Sequence, residues 1–180
     1  MGLVAWISNK RKIRPGFVYI NDNFSAMLAN VMSLYERYKC SFPTDQADLL
    51  ELWDILKLDH ELGKQIFGRI LVIIGFEVDA NAMTITMPQA KLAELLAGLR
   101  EFTVISSSGR LPRHPLSRFQ SIAGWVNWAF NAFPLLKPAL SNVYDKMSGK
   151  SKPTALVYVN HHIVRDLEWF CGHVRNSSGA

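Results

Sequence analysis

Apolar and polar positions follow two rhythms along this chain. Phe17-Val18-Tyr19-Ile20 is β-branched and aromatic and runs into Asn21-Asp22-Asn23, a strong turn signal. Phe24-Ser25-Ala26-Met27 reads as the return strand, so the pattern predicts a short hairpin with a polar tip. Leu28, Val31, Met32 and Tyr35 recur at helical spacing and predict a helix over 28–40, ended by Ser41-Phe42-Pro43. Thr44 is placed to cap a second helix whose stripe is Leu49, Leu50, Leu52, Trp53, Leu56 and Leu58. Residues 63–68 read as a loop, and 69–79 as one buried strand with Gly75 at a bend. Asp79-Ala80-Asn81 turns the chain into a further strand over 83–87, and Pro88 opens a helix carrying Leu92, Leu95, Leu96, Leu99 and Phe102. Ser106–Pro115 reads as a linker. Beyond it the pattern predicts helices over 116–131 and 134–147, a basic turn at 148–153, a strand over 155–159, and a last helix capped by Asn160.

This order makes the chain α+β to about residue 105 and mostly helical over 106–180. Composition agrees with a globular protein: 180 residues, 49% apolar and 19% charged. No apolar run approaches the ~18 residues of a membrane helix. Two cysteines, Cys40 and Cys171, form no disulfide framework, so an intracellular location, cytoplasm or nucleus, is expected. Charge adds more. The net +5 is unevenly spread: residues 1–102 carry eleven Lys and Arg against twelve Asp and Glu, and residues 103–180 carry nine against three. A basic C-terminal half suits a phosphate backbone or another anionic surface.

The tetrapeptide Tyr19-Ile20-Asn21-Asp22 is the most informative chemistry. A strand-turn-strand that presents carboxylates in a cleft is one way to hold catalytic magnesium, although Asn and Asp are also ordinary turn residues. The stretch FVYINDNFS (Phe17–Ser25) resembles the YxDD hairpin of reverse transcriptases. KQIFGRILVIIGFEVDANAMTITMP (Lys64–Pro88) is similar to the lysine-bearing loop and primer-grip hairpin of that palm, and Pro88 with Lys91 matches the P-x-x-K helix start that follows. HPLSRFQSIAGWVNWAFNAFPLLKPALSNVY (His114–Tyr144) resembles the thumb and connection segment. The resemblance points to retrotransposon polymerases, those of tyrosine-recombinase elements among them. It implies a partial right-hand palm of antiparallel hairpins and helices over 1–105, then a thumb-like module over 106–180.

It also implies roles. Asp22 would be the remaining metal-binding carboxylate, with Asn21 standing where the family has the first Asp of its pair, and Mg²⁺ would be the cofactor of the ancestral RNA-directed DNA synthesis. Lys64 would lie near the incoming nucleotide. Gly75 and Phe76 would sit at the primer grip, and Arg118, Gln120 and Gly124 would approach a duplex minor groove, with Lys150 and Lys152 beside them. The expected partner is an RNA–DNA or DNA duplex, and no membrane. The family's third carboxylate comes from an earlier strand, which would lie before residue 1. Metal clamps contribute several kcal/mol and each 1.36 kcal/mol is about tenfold in rate, so this chain alone is expected to be inactive in polymerisation. An apolar sheet edge near Phe17–Ile20 would then favour self-association. The alternative is a nucleic-acid-binding module with no catalysis.

Other groupings carry less. His161-His162 with Cys171 and His173 matches no zinc spacing. Lys10-Arg11-Lys12-Ile13-Arg14 is a basic patch, and Trp125, Trp128, Phe130 and Phe133 either pack at helical spacing or stack on bases.

Overall fold

The computed structural model describes residues 6, 7, 10, 13, 17–19, 22–105 and 109–176. The fold is α+β, and the chain divides into two compact units, Met1–Ile73 and Ile74–Ala180.

In the first unit, β1 (Phe17–Tyr19) pairs antiparallel with β2 (Asp22–Phe24), Tyr19 opposite Asp22; the hairpin forms, but Asp22 and Asn23, read as turn, belong to the return strand, and residues 25–27, read as strand, do not. The helix expected over 28–40 is instead a second hairpin, β3 (Met32–Tyr35) with β4 (Cys40–Pro43), Tyr35 opposite Cys40. Two features account for this. Asn30 and Lys39 lie in the left-handed region, φ 68° and 53°, which interrupts a right-handed helix. Along β3 burial follows period 2 instead, with Tyr35 inside and the apolar Met32 and Leu34 on the exposed side.

Helix α1 (Thr44–Leu56) packs on both strands; Tyr35, Phe42, Ala47 and Leu50 form the unit's small core. Thr44 is the first helical residue rather than the cap, a position taken by Pro43, and the Thr44 hydroxyl meets Ser33 Oγ at 2.8 Å. Lys57, φ 54°, ends the helix in left-handed conformation. A single 3-10 turn (Leu62–Lys64) leads to β5 (Ile70–Ile73).

The second unit begins where the expected single strand over 69–79 breaks. Ile74 (φ 51°) and Gly75 (φ 82°) form a turn, and the chain resumes as β6 (Phe76–Asp79), paired antiparallel with β7 (Thr84–Thr86). Asp79 Oδ1 accepts from the backbone N–H groups of Asn81 and Ala82 at 2.9 and 3.0 Å and holds the connecting turn. There follow α2 (Gln89–Thr103), β8 (Arg113–Pro115), α3 (Leu116–Ala129), a 3-10 segment (Pro134–Leu140), α4 (Ser141–Met147), β9 (Leu156–Tyr158) and α5 (His161–Asn176). β8 falls inside the stretch read as linker and pairs with β9. Asn160 Oδ1 accepts from Ile163 N–H at 2.9 Å, the cap expected of it.

One core runs through this unit. It joins Leu95, Leu99 and Phe102 of α2, Phe119, Ile122 and Val126 of α3, Leu136 and Leu140, and Ile163, Leu167, Phe170 and Val174 of α5. These residues recur at spacings of three and four, which is why each helix was legible. The core fixes α3 by its inner side, and so determines which of its residues face out.

Candidate nucleic-acid interface

Helix α3 is buried through Leu116, Phe119, Ile122, Ala123, Val126 and Ala129. Its opposite face exposes Ser117, Gln120, Ser121, Gly124 and Asn127, and Asn131 follows just beyond the helix. At about 100° per residue the five on the helix lie within roughly 60° either side of Gly124. The face is polar and small, and α3 contains no carboxylate.

Three glycines of this unit separate by what a side chain would meet. At Gly98 of α2 a Cβ would lie 2.7 Å from Trp125 Cζ3, so that glycine admits the indole between α2 and α3. At Gly75 a Cβ would lie 2.8 Å from Trp128 Cζ2, and the positive φ adds a second reason for glycine. At Gly124, as at the exposed Gly172 of α5, a Cβ would meet nothing within 4 Å. A mid-helix glycine costs about 1 kcal/mol relative to alanine. At Gly124 no packing within the described residues repays that cost.

Cations bracket this face. Leu116 N–H donates to Ala155 O (2.8 Å) and Ser117 N–H to Pro153 O (3.0 Å), which fixes the exposed Lys150–Lys152 turn at the N-terminal end of α3. At the other end, Lys137 lines an open depression of about 390 Å³ with Gly124, Asn127, Trp128, Phe130 and Asn131. Trp128 also lies against the turn before β6, its ring 4.5 Å from that of Phe76. Gly75 and α3 are therefore neighbours, joined through one indole. Phe76 itself is buried, so its ring is committed to the core. Arg118 is half-buried, 3.6 Å from the Glu101 carboxylate, which offsets part of its charge.

Among solved structures, the chain aligns over 98% of its length, with a TM-score of 0.55 and 17% identity, to the foamy viral protease-reverse transcriptase in a complex with double-stranded DNA. The same values hold for that protein in a complex with an RNA/DNA hybrid. The fold is that of part of a reverse transcriptase. The chain spans only 27% and 21% of the lengths of those two chains. No protein-family model matches the sequence, and no curated protein does.

The remaining candidates are placed as follows. Asn21 and Ile20 lie outside the described residues, as does most of the Lys10–Arg14 patch; Asp22 is described only as the first residue of β2. That hairpin supplies one carboxylate and, at Asn21, a neutral amide, and this donor set does not fit a magnesium pair. Among the described residues no group of three or more His, Cys, Asp or Glu side chains is close enough to hold a metal ion. Lys64 ends the 3-10 turn of the first unit, exposed and 3.2 Å from Glu61 Oε1. Burial is the main cause that pushes the Cys171 thiol up. Phe130 and Phe133 are buried, and Trp125 and Trp128 pack against the core, so helical spacing here meant packing. Among the described residues no helix is long and apolar enough to cross a membrane.

Sequence reasoning missed one polar cluster in the first unit. The Tyr35 hydroxyl donates to Asp54 Oδ2, Arg37 Nη1 donates to Asp54 Oδ1, and His60 Nε2 lies 3.2 Å from Asp54 Oδ1. The Tyr38 hydroxyl donates to His60 O at 2.8 Å. Burial, reinforced by Asp54, raises the Tyr35 phenol to about 12. The Tyr35 hydrogen bond, with those of Arg37 and His60, holds the Asp54 carboxyl below its ordinary range against the opposing effect of burial. The cluster ties β3 to α1 and to the loop after it. Only the juxtaposition of Tyr35 and Asp54, 19 residues apart, creates it, and no local pattern announces that.

Proposed function

We propose that this chain is a reverse-transcriptase-like palm and thumb segment that grips a base-paired nucleic acid, RNA–DNA hybrid or DNA, along α3. By itself it does not polymerise nucleotides. The observation that carries the reading is Gly124: an exposed mid-helix glycine, at the centre of a carboxylate-free polar face, with no side-chain neighbour to require it. A missing Cβ lets a ligand approach the backbone closely. Gln120, Asn127 and Asn131 carry amides that both donate and accept, which suits sugars and base edges, while Lys137, Lys150 and Lys152 supply phosphate contacts. From Ser117 to Asn127 the track rises about 15 Å at 1.5 Å per residue. That is roughly four steps of a duplex at about 3.4 Å each. The duplexes held by the foamy viral protein support the same partner class.

The test is a fluorescence-anisotropy titration of hybrid duplex by the full chain. Three phosphate contacts give a slope of about −2.7, hence an affinity loss of about 40-fold between about 50 and 200 mM salt. Gly124→Leu, which adds bulk at the centre of the track, is expected to abolish most duplex binding. Affinity indifferent both to salt and to Gly124→Leu overturns the grip. Primer extension in the presence of Mg²⁺ is expected to yield no product from this chain alone, and a product would overturn the inactive reading.

A further inference from the structure

The β8–β9 ribbon presents a second surface with a different character. Its ladder runs Arg113 opposite Tyr158, His114 opposite Val157 and Pro115 opposite Leu156. Alternation sends His114 and Val157 inward: the His114 ring stacks on Phe102 at 4.6 Å, its Nε2 is 2.9 Å from Phe102 O, and Val157 is buried. That leaves Arg113, Pro115, Leu156 and Tyr158 on the outer face, all exposed, Leu156 by 57% and Tyr158 by 54%. The Arg113 guanidinium lies 4.3 Å from the centroid of the Tyr158 ring. Charge here is mostly of one sign. Residues 109–118 and 146–165, which form the ribbon and its flanks, carry seven Lys and Arg and no Asp or Glu, although Arg118 faces Glu101 at 3.6 Å. The adjoining acids are Asp145, exposed, and Asp166, which accepts from Asn142 Nδ2 at 2.6 Å.

We infer that this outer face binds unpaired nucleic acid, a base stacking on the Arg113–Tyr158 pair while the flanking cations follow the phosphates. Flat apolar side chains set among cations match the two parts of a single strand, whose bases are free to stack; in a duplex the base faces are covered. An acidic protein surface would use the charges but leave Tyr158 and Leu156 without a function. The inward anchoring through His114 and Val157 holds the platform rigid before any ligand arrives, which limits the ordering cost of binding. Because Ser117 and Leu116 are hydrogen-bonded to the end of this ribbon, the platform abuts the N-terminal end of the α3 track. The inference rests on the proposed duplex grip only for the source of the strand, an unpaired tail leaving the duplex.

Anisotropy titrations of the full chain with a single strand, a blunt duplex and a tailed duplex test it. Tyr158→Ala is expected to weaken single-strand binding at least about fivefold and to leave blunt-duplex binding within about twofold, since the substitution removes only the stacking of one base on one ring. Tyr158→Phe keeps the ring and is expected to bind as the natural chain does. Arg113→Lys preserves charge but removes the planar group, and is expected to weaken the single strand alone. Gly124→Leu is expected to do the reverse, weakening the blunt duplex and sparing the single strand, so the two surfaces fail independently. Single-strand affinity unchanged in both Tyr158→Ala and Arg113→Lys overturns the inference. So does equal affinity for phosphatidylserine vesicles that neither variant reduces, which would make the face a general anion surface.

Discussion

Replacing Gly124 by alanine separates a glycine required by the protein from one required by a ligand. The added methyl enters open space, with no atom within 4 Å of its ideal position. Gly124 lies on the exposed face of α3, well inside a helix that runs from Leu116 to Ala129. Nothing therefore opposes the gain in helix propensity, about 0.8–1 kcal/mol in favour of alanine. For a chain of this size that is a rise in melting temperature of about 2–4 °C. Circular dichroism at a helix-sensitive wavelength, with heat and urea as separate perturbants, measures it. On the reading of α3 as a duplex track the same methyl lowers hybrid affinity, so stability and binding move in opposite directions. Destabilisation by Gly124→Ala would refute the geometric argument, because it would show an internal need for glycine. Stabilisation with unchanged duplex affinity would refute the ligand argument while leaving the geometry intact.

Gly75→Ala is the contrasting case. The left-handed conformation costs an ordinary residue about 1–2 kcal/mol, and the Cβ would also press on Trp128 at 2.8 Å; a lower urea midpoint checks the expected loss. The Asp54 cluster makes the first unit acid-sensitive. Because the native carboxyl titrates below its unfolded value of about 3.9, its contribution is complete above that pH and is lost as pH falls from there through the lowered native value. Asp54→Asn should remove this acid limb of a stability-against-pH curve, and an unchanged limb would refute the assignment. At the alkaline end, ultraviolet titration should show a tyrosine ionising late, near 12, that disappears in Tyr35→Phe.

Legibility followed the physics of each element. The four longer helices were readable because each buries a stripe at spacings of three and four. The β3–β4 hairpin was not readable, since Leu28, Val31, Met32 and Tyr35 fall at helical spacing, and it is the left-handed Asn30 and Lys39 that break such a helix. Strand β8 carries no apolar signal at all: Arg-His-Pro is held in the core by a histidine that stacks and hydrogen-bonds. For the interface, Gln120 and Gly124 could be named from the chain, but the sequence favoured helix packing as the reason for Gly124, and only the open space around it removes that reason. Asn127, Asn131 and Lys137 join them only because α3 ends where a 3-10 segment brings Lys137 back beside it.

Trp128 has one further consequence. Its indole floors the depression beside Gly124 and at the same time rests on Gly75 and Phe76. Any molecule that immobilises the outer surface of α3 therefore damps the opening of a turn it never touches. Amide hydrogen exchange at Gly75 and Phe76 would slow on binding, and the ring current of Trp128 would shift their resonances. A single aromatic plate thus makes the start of β6 a remote gauge of occupancy on the helix.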